Sequence, residues 1–128
     1  MSKRLFLIGG IFNALLTIFH LWLGWQIQLI PNLLPDYRAL MQMLNVGVIL
    51  ILAFATYASW FCISDLQTTA LGKTTTLLIA LFYAMRAGEE IILAPEFSAV
   101  IFGVCLVVAV IYFLALARTL RSPGVEGR

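Results

Sequence analysis

LFLIGGIFNALLTIFHLWLGWQIQL, residues Leu5–Leu29, is the stretch that decides the fold class. It holds no charged residue and no proline. It exceeds the roughly 20 apolar residues that a helix needs to cross a bilayer. Lys3-Arg4 stand directly before it, an order that also opens secretory signal peptides. No small-residue cleavage site follows, and the apolar run continues through Leu21–Trp25. The stretch is therefore read as a retained membrane span.

Working outward, three more segments have the same character: Arg38–Ser64, Lys73–Leu93 and Phe97–Arg118. Their boundaries carry turn residues. Pro31 and Pro35 separate the first pair, Ser64, Asp65 and Gly72 the second, and Pro95 the third, with Ser122-Pro123 opening the tail. All four prolines are expected outside the helices, where they remove no helical hydrogen bond. The composition agrees. Of 128 residues, 62% are hydrophobic and 11% charged, with mean hydropathy +1.03, against about 25% charged in soluble domains. A soluble fold this small exposes too much of its surface to hide so many apolar side chains. Lipid resolves the conflict, and helices satisfy their own backbone there. The expected fold is all-α: one integral membrane domain, residues 1–128, in an up-down bundle of four transmembrane helices.

Basic residues set the expected orientation. Lys3, Arg4, Lys73, Arg118, Arg121 and Arg128 fall on one side and only Arg38 marks the other. The positive-inside rule then places both termini and the Ser64–Gly72 loop in the cytoplasm of a bacterial inner membrane. Trp22, Trp25, Tyr37 and Phe97 fall near the outer boundary, and Trp60 and Phe61 near the inner one.

Three spans each carry a polar stripe. The first has Asn13, Thr17 and His20, the second Arg38, Gln42 and Asn45, and the third Tyr83, Arg86 and Glu90 with Glu89 beside them. These spacings put each set on one helix face. At roughly 1.5 Å rise per residue, His20 lies about 24 Å from Arg4, and Arg86 and Glu90 about 20 and 25 Å from Lys73. Gln42 and Asn45 lie about 6 and 10 Å inward from Arg38. All fall in the outer half of the bilayer. Charges inside a span are costly and by default mark a functional site. Arg86 is expected to pair with Glu90 or Glu89, with His20, Gln42 and Asn45 hydrogen-bonding from neighbouring helices. Ala80, Ala84 and Gly88 give the third span a small-residue face for close helix approach, which makes it the expected centre. The fourth span is expected to be the plain helix, turned to lipid or a partner.

Each polar residue also has a plainer role. Asn13, Gln42 and Asn45 serve equally as interhelical ties, His20 as a neighbour's partner, and Arg38 as an interfacial anchor. If the third span ends early, both glutamates lie among headgroups.

Several chemistries lack their residues. Net charge +2 without a basic stripe gives no nucleic-acid surface. Cys62 and Cys105 lie inside apolar runs and make no disulfide scaffold or zinc site. One histidine cannot hold a haem from both sides. His20, Glu89 and Glu90 are carboxylate-metal ligand types, but the Glu-x-x-His spacing of di-metal bundles is absent. Gly72-Lys73-Thr74 is only a fragment of a phosphate loop. Small proton-coupled multidrug transporters share the length but carry a carboxylate in their first helix, which this chain lacks.

The runs FHLWLGW (Phe19–Trp25), RALMQMLN (Arg38–Asn45), LQTTALGK (Leu66–Lys73) and LFYAMRAGEEI (Leu81–Ile91) resemble a family of small, uncharacterised four-helix bacterial inner-membrane proteins over about residues 15–92. The resemblance implies the fold and topology and brings no activity. Similar proteins have a neutral amide where this chain has Glu89-Glu90, so no role for those acids follows from it.

The functional expectation is a site for a small molecule, lipid, quinone or proton, with an intramembrane enzyme using the paired carboxylates ranked last among the alternatives. The site would be built from His20, Arg38, Gln42, Asn45, Tyr83, Arg86, Glu89 and Glu90, with no catalytic residue, no metal and no identified cofactor. The competing expectation is a non-catalytic accessory subunit of a larger membrane complex, or a homo-oligomer, associating through the fourth span.

Overall fold

The computed structural model describes residues 2–94 and 96–121. Pro95, Ser122, Pro123 and Arg128, used above as markers, lie outside the described residues. The described chain forms five helices and no strand: α1 (Ser2–Leu29), α2 (Pro35–Phe61), α3 (Ile63–Thr68), α4 (Ala70–Ile92) and α5 (Ala99–Arg121). Three of them, over Lys3–Leu29, Pro35–Phe61 and Ala99–Arg121, are long and apolar enough to cross a membrane. α4 has 23 residues, as many as α5, but Lys73, Arg86, Glu89 and Glu90 lower its apolar content.

The helix ends follow local chemistry. α2 begins at Pro35 rather than Arg38. A proline at the first helical position costs nothing because that N–H has no intrahelical partner. The turn before it uses Asn32 at φ 59°, a left-handed conformation that asparagine tolerates. The expected Ser64–Gly72 loop is instead mostly helical. Cys62, at φ −114° and ψ 29°, breaks the chain between α2 and α3. Ile63 and Leu66, three residues apart, bury one side of α3. Thr69 then caps α4, its hydroxyl accepting from the Gly72 N–H at 2.9 Å. Gly72 is the close-packing point of this corner, because a Cβ there would overlap the carbonyl oxygen of Asp65.

α1 and α2 run antiparallel along one seam. The tie of residue 7 to 60 and that of residue 24 to 42 have nearly the same sum, as antiparallel register requires. α4 and α5 form the second hairpin, and α1 packs on α5 to join the two. The core gathers toward the ends of α1 and α4 where the helices start and those of α2 and α5 where they finish, with Phe6, Leu52, Val108 and Tyr112 almost fully enclosed.

Two expectations about centrality are corrected. α5 is not the plain helix: it packs on both α4 and α1 and buries Cys105, Val108, Ala109, Tyr112, Ala115 and Thr119. Nor does the Ala80–Ala84–Gly88 row form a close-approach face. Ala80 is buried, but a Cβ on Gly88 would meet open space. Residues four apart advance about 400°, so such a row drifts roughly 40° per step away from a fixed seam. The buried line of α4 is Thr76, Tyr83 and Glu90, seven apart, which drifts only about 20° per repeat.

Candidate functional site

The residues singled out in the sequence fall into three groups. The first ties α1 to α2. His20 Nδ1 lies 2.8 Å from Asn45 Oδ1, and Asn45 Nδ2 donates to the His20 carbonyl at 3.0 Å. Gln42 Nε2 donates to the Gly24 carbonyl at 2.7 Å. Gly24 lacks a side chain where one would crowd the Asn45 amide at 2.9 Å. Arg38 donates to the carbonyls of Gln28 and Ile30, the latter at 2.9 Å. The last carbonyls of a helix have no intrahelical donor, so Arg38, reaching back from α2, caps the end of α1.

Removing that cap should act locally. Arg38→Leu is expected to ease opening of residues 28–34 by roughly 1 kcal/mol, about a fivefold gain in amide exchange. Exchange at Asn13 should stay unchanged. Equal exchange in both proteins over residues 28–34 would show that the cap is idle.

The second group is a closed polar network inside the core. Asn13 Nδ2 donates to the Tyr112 hydroxyl at 2.6 Å, and the Tyr83 hydroxyl donates to Asn13 Oδ1. The Tyr112 oxygen lies 2.5 Å from Ser59 Oγ, where either hydroxyl can donate. Thus α1, α2, α4 and α5 contribute one residue each, and all four are buried. Asn13 lies about 14 Å from Arg4 along α1, near the middle of the helix. The Tyr112 ring reaches Asn13 because Gly9 leaves room for it: a Cβ on Gly9 would stand 2.8 Å from the ring.

The third group lies where α4 meets α5. Arg86 and Glu90 pair at 3.1 Å across one helical turn, the pairing their spacing predicts. Glu90's other oxygen accepts from the Ser98 N–H at 3.0 Å, and Ser98 Oγ accepts from the Ile101 N–H at 3.4 Å. Glu90 therefore helps cap α5. Its side chain is 5% exposed, whereas Arg86's is 39% exposed and Glu89 is exposed. Arg86 sits about 60° around the helix from Tyr83, at the edge of the buried line. A shallow, open depression is lined by Arg86, Glu89, Glu90, Leu93 and Ala94.

So the eight residues do not meet in one cluster. His20, Arg38, Gln42 and Asn45 stay on the α1/α2 seam, Tyr83 joins the core network, and Arg86, Glu89 and Glu90 share the α4/α5 end. The cause is the pairing of hairpins: α1 meets α5, which leaves the stripes of α2 and α4 without a common face. His20 is accordingly apart from the two glutamates, and no three potential metal ligands converge among the described residues. No buried side-chain polar atom among the described residues lacks a partner.

Sequence reasoning passed over Ser59 and Tyr112. A signal existed for Tyr112. Cys105, Tyr112 and Thr119 recur every seven residues, matching Thr76, Tyr83 and Glu90 on α4. Two heptad rows on sequential helices mark a shared seam. Ser59 gives no such signal.

Comparison with known proteins adds no relative. No family model, curated protein or solved structure matches the chain.

Proposed function

We propose that the chain is a four-span protein of a bacterial inner membrane, with both ends cytoplasmic. Its outer end, where α4 meets α5, binds a small amphipathic or protonatable ligand without catalysing a reaction. The observation that carries this is the Arg86–Glu90 pair: a half-exposed guanidinium and a buried carboxylate held on an apolar helix, beside the surface carboxylate of Glu89 and an open depression. Ionisable groups at such depth are costly unless paired, and their retention points to use. The length of α4 supports the fourth span, since 23 residues extend about 35 Å against about 30 Å of hydrocarbon. The distribution of Lys and Arg supports the orientation.

Thermal unfolding of the purified protein in detergent, with phosphatidylethanolamine, cardiolipin or a benzoquinone added, tests the site. At least one addition is expected to raise Tm by several degrees in the wild type and to do nothing in Glu90→Gln. An equal response in both proteins sinks the reading.

A second reading, a non-catalytic accessory subunit or a homo-oligomer, is favoured by the α1/α2 seam. There His20, Gln42, Asn45 and Arg38 are all engaged in holding the hairpin. The outward side of α5, with Val107, Val110 and Leu114, would face the partner. Recovery of the chain as a lone monomer in mild detergent would count against it.

A further inference from the structure

The His20–Asn45 pair fixes more than a helix seam. Asn45 Nδ2 donates to the His20 carbonyl at 3.0 Å, which sets the orientation of the amide. The opposite orientation would face two oxygens. Oδ1 must then be the atom beside His20 Nδ1 at 2.8 Å, and a carbonyl oxygen only accepts. Nδ1 therefore carries the proton of the neutral imidazole. Nε2 is left with a bare lone pair on the far side of the ring from Asn45, and no described residue is hydrogen-bonded to it.

The surroundings give that lone pair a character. His20 is half-buried, about 24 Å from Arg4 along α1 and so in the outer half of the proposed span. The Phe19 ring stands edge-on to the imidazole at 5.5 Å between centroids, and the Trp22 ring lies 5.7 Å beyond Phe19. Both aromatic rings are about half exposed, on a helix side open to lipid. A hydrogen-bond acceptor beside two accessible aromatic faces fits a flat ring that bears a hydroxyl.

We propose that His20 Nε2 accepts a hydrogen bond from the hydroxyl of a membrane-dissolved phenol or quinol, whose ring packs against Phe19 and Trp22. Asn45 is the positioning residue that holds the accepting tautomer. The site discriminates by redox form: a quinol has a hydroxyl to donate, whereas the matching quinone has only carbonyl oxygens, which a bare Nε2 repels. It rests on the membrane placement of the chain but not on the Arg86–Glu90 depression.

His20 is the chain's single histidine, so nitrogen-15 labelling of histidine gives a one-site spectrum. The experiment uses the full chain in detergent micelles, anaerobically, at about pH 8. A protonated Nδ1 and an unprotonated Nε2 are expected. Decyl-tailed benzoquinol should shift the Nε2 resonance saturably and bind at least tenfold more tightly than the matching benzoquinone. Ile92→Ala, an exposed substitution on α4, should bind the quinol as the wild type does, whereas His20→Phe should lose that binding. Asn45→Ala should bind both forms within about threefold of each other, because the other tautomer, with Nε2–H, then becomes available. A proton on Nε2 in the wild type, equal affinity for quinol and quinone, or undiminished quinol binding by His20→Phe would overturn the proposal. The wild-type spectrum decides even where a variant fails to fold.

Discussion

Tyr112→Phe is expected to destabilise the folded chain by about 2 kcal/mol, well above the roughly 0.6 kcal/mol average for an interhelical hydrogen bond in a membrane. The substitution keeps the ring that fills the space beside Gly9 and Phe6, so packing is nearly preserved. What it removes is an oxygen on which two neighbours depend. Ser59 has a remedy, because a helical serine can turn back to the carbonyl four residues earlier. The Asn13 amide has none: it is fully enclosed, and its Nδ2 would face an apolar ring edge. The measurement is the free energy of unfolding in mixed detergent micelles titrated with dodecyl sulfate. Ser59→Ala should cost less than Tyr112→Phe, and Asn13→Leu should cost the most, since it strips partners from both tyrosines at once. If Tyr112→Phe and Asn13→Leu each changed stability by no more than an exposed substitution such as Ile92→Ala, the network would not hold the four helices together.

Two glycines of α4 should respond to the same change with opposite signs. Gly88→Ala is expected to stabilise by about 0.5–1 kcal/mol, the usual gain of alanine over glycine within a helix, because the new methyl meets nothing. Gly72→Ala is expected to destabilise by about 3 kcal/mol, at the upper end for overpacking. The atom in the way is the Asp65 carbonyl oxygen, part of the α3 backbone, which has no rotamer through which to escape. Accommodation requires α3 to lift from α4 and expose Ile63 and Leu66. The same unfolding titration reads both effects, and limited proteolysis between residues 62 and 70 reads the local one. Two shifts of the same sign would show that the α3/α4 corner is not packed as described.

Particular residues show how far the sequence could be read. The Arg86–Glu90 pair was legible because both partners lie on one helix, four residues apart, where geometry is fixed by the helix itself. The role of Arg38 was not. Its charge looks like an interfacial anchor until the chain turns at Asn32 and brings the last carbonyls of α1 within its reach. The turn is local, but the partners are backbone atoms, which every residue possesses and no sequence pattern marks. Gly72 reads as a loop residue or a motif fragment, and its reason is a backbone oxygen seven residues away. The convergence expected of the eight polar residues failed for a related cause. Spacing along a helix says which residues share a face; it is silent on which helix that face meets.

The sequence by itself determined that the chain is all-helical and holds helices able to cross a membrane. Lipid penalises charge and unpaired backbone over whole segments, so the signal accumulates along Leu5–Leu29 and its counterparts without needing any contact. Only the tertiary structure decided that Asn13, Ser59, Tyr83 and Tyr112 would meet in the middle. The four are far apart in the chain, and their meeting depends on α5 packing against both α1 and α4. Hydrogen bonds at 2.5 and 2.6 Å test the relative placement of whole helices to within a fraction of an ångström. That placement is set by where glycines such as Gly9 let a neighbour approach, which is a property of surfaces in contact.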